Sequence, residues 1–121
     1  MTALNKESKK MVRQLKLVAI HHTASRLYSG ETRDYGVEIG TLAELIENHY
    51  YTLECGKAYE HERGNRKINM SPKTVKSLCT NLMNAADNSS RNGYSGSYYE
   101  PAEITQELFD KYIKELEEEE E

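Results

Sequence analysis

The apolar residues of this chain recur mainly three and four positions apart, and that periodicity limits the fold more than any other feature. It is clearest in Leu42, Leu45, Ile46, His49, Tyr50 and Leu53, which follow the capping box Thr41-Leu42-Ala43-Glu44. Helical spacing returns in Met11, Leu15, Val18 and His22. It returns again in Val75, Leu78, Cys79, Leu82, Met83 and Ala86, and in Ile104, Leu108, Phe109, Tyr112, Ile113 and Leu116. Asn5 is placed to cap the first helix and Gly30 to close it, Ser71-Pro72 to start the third, and Pro101 to open the fourth. The run Leu15 to His21, with Val18 and Ile20, also reads as a strand, but its longer context favours helix. The expectation is a mostly α domain of four helices over residues 1–116, each amphipathic and each needing a neighbour.

Between the last two stripes lies Asn88 to Ser97, built from Asn, Ser, Gly and Arg with one Tyr. Such a segment supplies nothing to a core, so residues 88–100 are expected to form a flexible loop. The charge divides close to it. Residues 1–91 carry 14 Lys and Arg against 10 Asp and Glu, whereas residues 92–121 carry 2 against 10 and finish in an acidic tail, 117–121. A weakly basic body with a strongly acidic end suits recognition through electrostatic contact.

The longest uncharged apolar run is Leu17 to Ile20, far below the roughly 20 residues that span a bilayer. With no leader of signal-peptide length in the first residues, the reading is a cytoplasmic protein without a membrane partner. Cys55 and Cys79 form no CxxC pair and read as reduced thiols on helix faces. Nine Tyr, one Phe and no Trp favour half-buried and interfacial surfaces. No Glu-x-x-His spacing, phosphate loop or nucleophile elbow occurs, so no cofactor, metal ligand or catalytic residue is assigned and the chain is read as no enzyme.

Two surfaces are candidates for contact. Arg91, Tyr94, Tyr98 and Tyr99 belong to a Tyr/Ser/Gly/Asn segment of the composition that makes adaptable recognition surfaces, and Glu117, Glu118 and Glu119 supply the acidic end. Both fit a protein partner, with a homo-oligomer as a further option. Arg63, Arg66, Lys67, Lys73, Thr74 and Lys76 form the densest basic segment of the body and could meet nucleic acid.

Ser71-Pro72-Lys73-Thr74-Val75-Lys76-Ser77-Leu78 resembles the start of the recognition helix in helix-turn-helix regulators of the LuxR response-regulator kind. The resemblance implies a DNA-binding helix with Lys73, Thr74, Lys76 and Ser77 toward the groove and Arg63, Arg66 and Lys67 on phosphates. Val18-Ala19-Ile20-His21-His22-Thr23-Ala24 resembles the strand carrying the first zinc ligand of the N-acetylmuramoyl-L-alanine amidase and peptidoglycan-recognition family, which implies a zinc amidase as a distant alternative. The first expectation remains a small non-catalytic regulatory protein acting by protein–protein contact, and modulating nucleic-acid machinery, with helix-turn-helix DNA binding as the alternative.

Overall fold

A computed structural model describes residues 3–25, 30–90 and 96–119. Asn5 caps α1 (Lys6–Leu15), its Oδ1 accepting the Ser8 amide at 2.9 Å. The helix stops at Lys16, whose φ of 55° makes it the single left-handed non-glycine residue among those described. The chain then extends as β1 (Leu17–Ser25) and returns as β2 (Thr32–Thr41). The helices α2 (Leu42–Asn48), α3 (Tyr50–Ala58) and α4 (Val75–Ser89) lead to β3 (Ser97–Pro101) and α5 (Gln106–Glu119). The described residues thus form five helices and a three-stranded antiparallel sheet of order β2-β1-β3. The fold is α+β, and the mostly α, four-helix expectation is overturned.

The correction centres on β1. It is the middle strand, paired with β2 on one edge and β3 on the other. A central strand covered on both faces reads as an unbroken apolar run rather than an alternation. That accounts for Leu17, Ala19 and Ile20 being buried in succession around half-buried Val18. Three helical stripes correctly marked helices, but the first mixed a helix, α1, with a strand.

Other boundaries moved for local reasons. The capping box forms at α2, with Glu44 N donating to Thr41 Oγ1 at 3.2 Å and Thr41 N to Glu44 Oε1 at 3.0 Å. The single helix expected from it breaks at His49, whose backbone leaves helical geometry between α2 and α3. The third helix starts at Val75 rather than Pro72 because Thr74 is its cap, accepting the Ser77 amide at 3.0 Å. Pro101 ends β3 instead of opening α5. The expected loop 88–100 gives its first two residues to α4 and residues 97–100 to β3. Glu117 to Glu119, expected as tail, continue α5.

Strand alternation puts Val18, Ile20 and His22 on one face of β1 and Leu17, Ala19 and His21 on the other. The first face carries the main core, in which Ile20 and Tyr99 pack with Leu45, Leu53, Leu78 and Leu82. Leu17, Ala19 and Phe109 are buried outside that cluster. The long connection between α3 and α4 has no regular structure, yet it is anchored. Ile68 inserts into the core, Glu60 accepts the Ile68 amide at 3.1 Å, and Asn81 accepts the Asn69 amide at 2.7 Å. Cys55 and Cys79 are both free thiols on α3 and α4, and burial pushes the Cys79 thiol up to about 11. No helix of the described residues is long and apolar enough to cross a membrane.

Candidate functional site

The polar residues concentrate where the three strands converge at the open end of the core. β1 bulges between His21 and Thr23, and Gly36 takes a φ of 86° on the facing strand while its amide donates to Asp34 Oδ1 at 2.8 Å. The bulge brings Tyr35 of β2 over His22, and the β1–β3 register places Tyr99 on its other side. His22 is therefore clamped between two phenol rings, with centroids 4.5 Å from Tyr35 and 4.1 Å from Tyr99. Arg33 lies over the outer face of Tyr35, and His49 meets Tyr99 edge-on.

Hydrogen bonds lock the surroundings. His49 Nε2 donates to Glu38 Oε2 at 2.7 Å, and Asn48 Nδ2 donates to Glu38 Oε1 at 2.8 Å. The hydrogen bond from His49 holds the Glu38 carboxyl below its ordinary range. On the opposite sheet face, His21 Nε2 donates to Asp34 Oδ1 at 2.7 Å, while Glu100 stands 3.7 Å from its Nδ1. His22 Nε2 is buried without a protein partner. Burial, reinforced by the neighbouring His49, lowers the His22 pKa, and burial pushes the Tyr99 phenol up to about 12. The cluster is a neutral imidazole between two phenol rings, with a carboxylate–imidazole pair alongside. Among the described residues, no three His, Cys, Asp or Glu side chains are arranged to hold a metal ion.

The signs of these shifts give a pH dependence. His22 favours its neutral form when folded, so its contribution is full above its ordinary value of 6.5 and is lost as pH falls through the lowered value. Glu38 acts in the same sense at lower pH, its contribution lost as pH falls from 4.5 through its own lowered value. The melting temperature is expected to drop in two stages from neutral to acidic pH. His22→Phe, which keeps the stack and removes the titrating nitrogen, should flatten the first stage and leave the second. Thermal melts across pH decide this, and an unchanged first stage in His22→Phe refutes the assignment to His22.

Tyr99 also joins this cluster to an open groove. The groove has a volume of about 470 Å³ and runs between α3, the end of α4 and the start of β3. Tyr51 and Cys55 of α3 and its C-cap Tyr59, spaced four apart, form one wall, with Ser89, Ser90 and Ser97 opposite. Among the described residues, no charged side chain lines the groove.

The structure separates the residues singled out by sequence. Tyr99 is 4% exposed, so it supplies floor rather than an outward contact, whereas Tyr98 is 51% exposed and faces the other side of the sheet. Arg91 and Tyr94 lie outside the described residues. Glu117, Glu118 and Glu119 are exposed on α5, whose sheet contacts are with β2, the edge opposite β3. Arg63, Lys67, Lys73 and Lys76 are exposed, Arg66 donates to Asn84 Oδ1 at 2.7 Å, and the Thr74 hydroxyl is occupied as a cap. Where the helix-turn-helix resemblance implies a tight turn, residues 59–74 intervene.

Sequence reasoning assigned no site role to Tyr35, Glu38, His49, Tyr51, Cys55 or Tyr59. The i, i+4, i+8 spacing of Tyr51, Cys55 and Tyr59 was a readable signal for a second helix face. The His22 stack was not, because it depends on a bulge and on strand register. No family model, curated protein or solved structure matches this chain.

Proposed function

We propose that this chain is a small, non-catalytic, cytoplasmic binding protein that regulates a larger partner by protein–protein contact. The groove between α3, α4 and β3 receives the partner. The observation that carries the reading is Tyr51, 78% exposed at the lip of a groove whose lining among the described residues is uncharged and rich in tyrosine rings and serine hydroxyls. Interface centres are depleted in charge and enriched in aromatic residues, and Tyr with Ser gives large contact area together with adaptable hydrogen bonding. Tyr50, 49% exposed, extends the aromatic surface along α3. The acidic end of α5 steers the encounter from the other sheet edge rather than seating in the groove.

Tyr51→Ala removes an exposed ring and should leave the fold intact while weakening partner capture about tenfold or more, the loss typical of a central aromatic anchor. Tyr98→Ala, on the other sheet face, is expected to have little effect. The measurement is capture from cell extract treated with nuclease, with the retained protein identified and its affinity for each variant determined. Equal capture by wild type and Tyr51→Ala defeats the groove assignment. Retention only without nuclease, lost in Lys73→Ala/Lys76→Ala, replaces it with DNA contact at the start of α4.

A further inference from the structure

Two helices carry opposite charge. From Lys6 to Lys16, α1 and its cap carry five cations against the single Glu7, whereas α5 carries six carboxylates against Lys111 and Lys114. Every one of these α1 cations is exposed, and Lys6, Lys10 and Arg13 lie together on the side of α1 away from buried Ser8. Beside them Met11 and Leu15 are 40% and 43% exposed. Among the described residues, no ion pair joins the α1 cations to Glu117, Glu118 or Glu119.

Geometry accounts for this. Gln106, at the start of α5, bridges to the start of α1, its Oε1 accepting the Asn5 amide at 3.0 Å and its Nε2 donating to Ser8 Oγ at 3.1 Å. The acidic end is a helix length further on. At about 1.5 Å per residue, Glu118 lies roughly 18 Å along α5 from that bridge. Lys6, Lys9 and Lys10, within a turn of that bridge, do not reach it, and Arg13 and Lys16 form no ion pair with Glu117, Glu118 or Glu119. The carboxylates of Glu117 to Glu119 also sit at the negative end of the α5 dipole, which has no basic residue in its last turn. That end therefore gains most from cations brought by another chain.

We propose that the protein self-associates through reciprocal contacts, the basic face of α1 in one molecule meeting the acidic end of α5 in a second. A two-fold axis makes this contact twice, since each molecule offers both surfaces. Antiparallel placement of the two helices sets the start of α1 against the end of α5, so their dipoles attract as well as their side chains. Exposed Met11 and Leu15 are covered at the rim of the same contact. This surface is separate from the groove and does not depend on its role.

The test is a charge exchange read by sedimentation or light scattering. At about 0.01 M salt, where the screening length is about 30 Å, dimer is expected, and at about 1 M, where it is about 3 Å, monomer. Lys10→Glu/Arg13→Glu and, separately, Glu117→Lys/Glu118→Lys each weaken the dimer at least about tenfold. All four positions are exposed, so circular dichroism should show both variants folded. Mixing the two restores association, because a reversed α1 then faces a reversed α5 at one of the two contacts while the unaltered surfaces meet at the other. Monomer at low salt, a dimer indifferent to either reversal, or no recovery on mixing overturns the proposal. So does dissociation of the low-salt species by nuclease, which would make the basic face a polyanion site.

Discussion

Asn88→Ala is expected to lower the unfolding free energy by roughly 3 kcal/mol through lost hydrogen bonds alone. The side chain is 7% exposed and uses its whole amide. Oδ1 accepts the Arg66 amide at 3.1 Å, while Nδ2 donates to the Arg66 carbonyl at 2.7 Å and to the Gly56 carbonyl at 3.2 Å. One residue at the end of α4 thereby fastens both the irregular connection and the end of α3. Truncation leaves the part-buried Arg66 amide and carbonyl and the buried Gly56 carbonyl without their partner, and each such loss costs about 1 kcal/mol. Asn88→Asp is a sharper probe, because it keeps the shape and the acceptor but removes both donated bonds. It should lose most of the same stability at neutral pH. Urea unfolding of the three proteins measures this, with an unchanged m value showing that the effect lies in the native state. If Asn88→Ala unfolds at the wild-type midpoint, the connection 59–74 is not held as described. Hydrogen exchange at the Arg66 amide gives the local readout: it should accelerate in Asn88→Ala even where the helices stay protected.

Asn88 also marks where sequence reasoning stopped. Its neighbours are Ser, Asn and Gly, and composition placed it at the head of a loop. Its role as a buried clamp is set by Arg66 and Gly56, partners 22 and 32 residues away, and no local pattern reports such contacts. Features closed within a few residues were legible: the Asn5 cap, the Thr41–Glu44 capping box and the apolar stripes of α2, α4 and α5. β1 was not, because Leu17 to Ile20 is compatible with a buried helix turn or a strand covered on both faces. Only pairing with β2 and β3 decides between them. The tyrosines followed the same rule. Tyr98 and Tyr99 were singled out as a pair, and strand alternation sends one to each face of the sheet. The groove was half-visible in the spacing of Tyr51, Cys55 and Tyr59. Its other wall needed the return of β3 to the far edge of the sheet.

Gly56→Ala is expected to cost about 3 kcal/mol, against the gain a helix normally takes from replacing glycine by alanine. α3 and α4 cross at this residue. A methyl group added to Gly56 would lie 2.3 Å from the α-carbon of Ala85 and 2.9 Å from its carbonyl oxygen. Both obstacles are backbone, so no side-chain rotation relieves the overlap and the helices must move apart. The same reasoning predicts that Ala85→Gly fails to rescue Gly56→Ala. Deleting the Ala85 methyl removes the overlap at 2.4 Å, but the α-carbon of residue 85 stays 2.3 Å from the added methyl. Chemical unfolding of the two single variants and the double variant tests this directly. Full recovery in the double variant would mean that the helices are held apart by the two methyl groups alone, and the close backbone crossing would be wrong. The displacement also has a functional reading, because Tyr51 and Cys55 ride on α3 with Tyr59 as its C-cap, while Ala86 and Ser89 ride on α4 with Ser90 as its C-cap. A Gly56→Ala protein that remains folded at low temperature should bind its partner more weakly than wild type with every groove residue intact. The walls would then stand at the wrong separation for the occupant.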